Sequence, residues 1–151
     1  MAGTVTVKTS ADLLREVYRN VKMAGDSIIN LMPKVKDEKL KSDMTIQLSV
    51  YEAFASRAAK LLAQEGVKPE DEGMLTKMSA KWGIMMNTMK DSTTAHLVQM
   101  MLEGTNMGVG DLLRWIRESE GAGVSEEALR LARDVCEYEE EAVEELKTLL
   151  R

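Results

Sequence analysis

At 151 residues, 44% of them hydrophobic and 30% charged, the chain is long enough to close one core and too apolar to stay disordered. A net charge of -5 argues against nucleic acid as a partner, since that needs a basic stripe to displace counterions, and no run approaches the roughly 18 apolar residues of a membrane span. The single cysteine, Cys136, has no internal disulfide partner and the opening MAGTVTVKTS lacks an export signal's charged-then-apolar pattern, so a cytoplasmic location is expected.

Residues 1–9 read as a flexible N-terminal segment and 10–151 as a single helical domain. Thr9 or Ser10 can accept the free amide hydrogens of a first helical turn, with Asp12 placed like the acid of a capping box. Leu14, Val17, Val21, Ala24, Ile28 and Met32 then recur every three or four residues, as one buried stripe requires, until Pro33 ends the helix. A second helix follows Lys36, with Leu40, Met44, Leu48, Tyr51, Ala55, Ala58 and Leu62 inward, and Gly66 suits its left-handed closing residue. The short link between them makes an antiparallel hairpin over 10–66.

Pro69 suits the first turn of a further helix, whose positive end Glu70, Asp71 and Glu72 favour. Asp91, Ser92, Thr93 and Thr94 give a fresh start signal, so a crossover spans 67–91 and a second hairpin 92–150, with helices from about 93 to 119 and from Ser125 onward around a Gly-Ala-Gly turn at 121–123. At about 1.5 Å per residue, a helix over 71–90 crosses roughly 30 Å, most of the length of such a bundle. The expected fold is therefore all-α: a four-helix bundle of two antiparallel hairpins joined by a long helical crossover, the arrangement of ferritin-like proteins. An internal echo agrees with it. MAGDSIINLM at 23–32 aligns with MGVGDLLRWI at 107–116, and YEAFASRAAKLL at 51–62 with YEEEAVEELKTL at 138–149, at offsets that differ by three residues.

The stretches NVKMAGDSIINLMPKVKDEKLKSDM and EGTNMG and the paired Tyr-Glu positions resemble a small bacterial branch of the ferritin-like superfamily, over residues 10 to 150. For metal-binding members the resemblance implies an inward Glu on the first and third helices and Glu-x-x-His on the second and fourth, together holding two iron or manganese ions. Glu139 continues the stripe Ala132, Val135, Ala142, Leu146, Leu149, and Glu52 stands among Leu48, Ala55, Ala59 and Leu62, so both match the motif glutamates. Three residues on, however, stand Ala142 and Ala55 where the pattern has histidines. Glu16 and Asp26 miss the inward stripe of the first helix, and Glu103 flanks that of the third.

His96 does not fill the gap. A turn centred near Ala122 sets Thr105 opposite Glu139, about 13 Å along the axis from His96, well beyond the roughly 2 Å of a metal bond. Its expected role is a hydrogen bond near a helix end.

Eight of the twelve methionines lie between 74 and 107, and with one phenylalanine in the chain they serve first as flexible core fillers, with Cu(I) binding the lesser reading. Met74, Met78, Met85 and Met89, with Trp82, form a candidate sticky stripe on the crossover for a second subunit or a protein partner. The acidic run EYEEEAVEE at 137–145 reads as a solvated helix face. Gly104, Gly108 and Gly110 follow no strand, so they read as close-packing positions and not as a phosphate loop. One mid-helix histidine leaves no base-and-orienter set for hydrolysis. The expectation is a structural or interaction protein with a degenerate or absent di-metal site, catalysis being the less favoured reading. Its rival is a carboxylate site of Glu52, Glu139 and Glu103 that binds, stores or oxidises iron or manganese.

Overall fold

The computed structural model describes residues 6–69, 80, 84–85 and 88–150. Each helix starts where its capping chemistry places it. Helix α1, Ser10–Leu31, opens on Thr9 in a closed capping box: the Asp12 amide donates to Thr9 Oγ1 at 3.1 Å and the Thr9 amide to Asp12 Oδ2 at 3.1 Å. A 3-10 turn over Met32–Lys34 carries Pro33 and ends the helix. Helix α2, Glu38–Gln64, is capped by Asp37, which accepts from the Leu40 amide at 2.9 Å, and the chain leaves it through Gly66 at φ 71°. Helix α3, Thr94–Ser119, is capped by Thr93, and helix α4, Glu126–Thr148, by Ser125. Between α3 and α4, Gly121 and Gly123 both have positive φ, which side-chain-bearing residues rarely adopt. The crossover helix expected over 67–91 falls largely outside the described residues.

The described residues form an all-helical bundle without strands. Helix α1 packs along α2, and α3 along α4; α4 also touches α1 and α2, and α1 touches α3. Helices α2 and α3 share at most isolated contacts, so among the described residues α4 and α1 form the middle of the bundle and α2 and α3 each pack against those two. The core is one continuous cluster. It includes Leu13, Val17 and Val21 of α1, Met44, Tyr51 and Leu62 of α2, Leu97 and Leu112 of α3, and Val135 and Leu146 of α4. None of the described helices is long and apolar enough to cross a membrane.

Polar ties fasten the bundle at its ends and side. Val7, in the segment read as loose, is buried, and its amide donates to Glu118 Oε1 of α3 at 2.9 Å. The Ser125 amide donates to Ser10 Oγ at 2.8 Å, joining the start of α4 to the start of α1. Arg57 of α2 pairs with Asp134 of α4 at 2.8 Å, and Lys39 bridges Asp43 at 2.9 Å and Glu145 at 3.4 Å. These pairs are partly open to water and add little each.

Methionine fills the interior as its flexibility suggests. Met44 and Met101 are buried, and Met32, Met89 and Met100 pack against the same core.

Candidate functional site

The three glutamates expected to share an interior site are separated by the fold. Glu139 is inward, 1% exposed on α4, as the apolar stripe on either side of it requires. Glu52 and Glu103 are exposed. For Glu52 the reason is rotational. The inward line of α2 runs through Leu40, Met44, Gln47, Tyr51, Ala55, Ala58 and Leu62, and one residue beyond Tyr51 is about 100° around the helix. Leu48 and Ala59, which made Glu52 look inward, are only half-buried. They and Glu52 line a groove of about 430 Å³ between α1 and α2, together with Tyr18, Lys22 and Asp26. The two Tyr-Glu pairs are thus not equivalent: α2 turns its tyrosine to the interior, and α4 its glutamate.

Glu139 meets α3 at Gly108. A Cβ on Gly108 would lie 2.6 Å from Glu139 Oε1 and 3.3 Å from Asn20 Nδ2, so the missing side chain makes the space the carboxyl occupies. Asn20, from α1, donates its side-chain amide to the Gly108 carbonyl at 3.3 Å. Three helices therefore meet around one acid. The contact is three residues further along α3 than Thr105, the position expected opposite Glu139. Close packing accounts for Gly108 but not for its neighbours: a Cβ on Gly104 or Gly110 would meet nothing within 4 Å among the described residues.

Neither oxygen of Glu139 has a hydrogen-bond partner. Burial, reinforced by the charge of nearby Asp111, pushes its carboxyl up from 4.5 to about 8. The same neighbourhood acts on others. Burial and then the Glu139 charge drive the Tyr51 hydroxyl well above its ordinary range, and burial, with Glu140 and Glu139, pushes the Cys136 thiol up to about 12. Cys136 is thus a buried thiol beside an acid, its Sγ 3.6 Å from Glu140 Oε1, and not a thiolate nucleophile.

Beside the acid, Tyr51 and Tyr138 stack edge to face at 5.6 Å, and Phe54 meets Tyr138 at 5.9 Å. Tyr51 also lines the α1–α2 groove, so the same residue adjoins both that groove and Glu139.

These donors do not fit a di-metal centre. Such a centre needs several carboxylates or imidazoles converging on one point, and among the described residues no three His, Cys, Asp or Glu side chains do so. His96 lies in the first turn of α3, twelve residues before Gly108 and so about 18 Å away along the axis. Its amide donates to Thr93 Oγ1 at 3.3 Å, and its charge acts on Asp91, whose carboxyl Thr93 chiefly holds below its ordinary range.

Of the residues around Glu139, apolar periodicity points to Glu139 itself and glycine spacing to Gly108, but neither points to Asn20 or Asp111. Asn20 lies three residues after Val17 on the inward side of α1, and a polar residue at that spacing is the signal that could have found it. Compared with models of known protein families and with curated protein sequences, the chain matches none.

Proposed function

We propose that the chain is a ferritin-like bundle of two antiparallel hairpins without the superfamily's di-metal centre, acting in the cytoplasm as a structural or interaction protein that self-associates. The division of its carboxylates supports this reading: Glu139 is sealed inside without an ion-pair partner, Glu16, expected off the inward stripe, and Asp43 are buried but paired with Arg19 and Lys39, and Glu52 and Glu103 face water. Among the described residues no three potential ligands converge on Glu139, which leaves too few to hold iron or manganese as the superfamily's centre does.

What the surface offers instead is apolar. On α3, Met107 is 71% exposed and Leu113 53% exposed, with Gly110 between them adding no side chain. Wetted methionine and leucine beside bare helix backbone suit the close approach of another helix. In the crossover, Met85 is 40% exposed while Met89 packs on the core, so these two do not form one free stripe; Met74, Met78 and Trp82 lie outside the described residues.

Sedimentation velocity on the untagged chain tests the association. The native protein should run as an oligomer whose dissociation rises at least tenfold in Met107→Glu with Leu113→Glu, and less in Met85→Gln. A native monomer at the highest soluble concentration would remove self-association. Metal analysis of the same preparation tests the other half: iron and manganese should be sub-stoichiometric and unchanged in Glu139→Ala. Stoichiometric metal lost in that variant would restore the carboxylate-site reading.

A further inference from the structure

We infer that Glu139 is a proton-operated latch: its neutral carboxyl lets α3 close on α1 at the Gly108–Asn20 contact, and loss of its proton drives that seam open. The latch goes beyond an association role and does not depend on one.

The geometry supplies both positions of the latch. Closed, the carboxyl lies against the Gly108 backbone with both oxygens unpartnered, a place that tolerates a neutral acid far better than an anion. The groups facing it from each packed helix give an anion no relief. From α3 comes Asp111, a like charge. From α2 comes Tyr51, a neutral phenol. From α1 comes Asn20, whose amide already serves the Gly108 carbonyl. On that same side of α1, one turn earlier, Glu16 is paired with Arg19. On α4 itself Cys136 is a neutral thiol, with Glu140 beside it. Among the described residues, none of the groups coupled to Glu139 is a cation.

Helix α3 also carries the means to move. Among the described residues it packs on α1 and α4, and it leads into a turn with two positive-φ glycines. Gly104, Gly108 and Gly110 each weaken it by about 1 kcal/mol relative to alanine. Swinging its middle away from α1 breaks the Asn20 hydrogen bond and brings water to Glu139.

Amide exchange over α3 residues 104–112, expressed as protection factors so that base catalysis of exchange cancels, tests this. In the native chain protection should fall about tenfold per pH unit from about pH 5 to about pH 8 and then level off, as release of one proton on opening requires. Those amides should be less protected than the core of α2 at every pH and insensitive to low urea, the mark of local opening. Glu139→Gln should flatten the profile, and Asp111→Asn should move its upper edge to lower pH. A flat native profile, an unchanged slope in Glu139→Gln, or α3 protection and urea response equal to those of α2 would overturn the latch. Should a variant fail to fold, the native profile and the carboxyl carbon-13 titration of Glu139 still decide, because titration near the ordinary glutamate range overturns it equally.

Discussion

Between about pH 4 and pH 9, the stability of Glu139→Gln relative to the native chain should rise by roughly 3–5 kcal/mol, with most of the gain in place by pH 7. The direction follows from the displaced carboxyl. It loses its proton near 4.5 when unfolded and near 8 when folded. Below the lower value both states hold the proton and the acid costs the fold little. As pH rises through the interval, the unfolded chain gives up its proton and the folded chain keeps it, so stability drains away until the folded state also ionises. Glutamine has the same shape and no proton to lose. Urea denaturation of both proteins at several pH values reads the difference directly, and parallel curves for the two would show that Glu139 titrates normally in the fold.

Tyr51→Ala should destabilise the fold by about 3–5 kcal/mol, as removal of a large buried ring does. Tyr51 is 2% exposed and is packed edge-on against Tyr138 at 5.6 Å, so truncation leaves a void in the middle of the core instead of a surface notch. A second effect distinguishes this site from an ordinary core position. With the ring gone, water from the α1–α2 groove reaches Glu139, and the pH dependence just described should shrink. Thermal unfolding of Tyr51→Ala with and without Glu139→Gln measures both. If the single variant kept the full native pH dependence, Tyr51 would not be the barrier between groove and acid.

Much of this was legible in residue order because helix ends are written locally. Thr9 with Asp12, the Thr93 start signal, Ser125 and the glycines at 66, 121 and 123 each announce a boundary through hydrogen bonds or backbone angles that depend on only a few neighbours. The inward placement of Glu139 was equally plain, since buried apolar residues flank it one turn to either side. Glu52 was misread because α2 has two overlapping apolar lines about 100° apart: one through Met44, Tyr51 and Ala58, the other through Leu48 and Ala59. Periodicity alone does not choose between them. The contact with the rest of the bundle does, and it favoured the line that places an aromatic ring against α4. Asn20 and Asp111 depend on how far α1 and α3 slide past α4, which no local pattern encodes.

The empty side of Gly108 has a consequence for altering this protein. Positions 108 and 139 share a single parcel of volume, with hydrogen at one making room for a long side chain at the other. Alanine at 108 alone would collide with that acid, and alanine at 139 alone would leave a void. Made together, the two changes exchange room across the interface between two helices, so the pair should be far better tolerated than either change predicts.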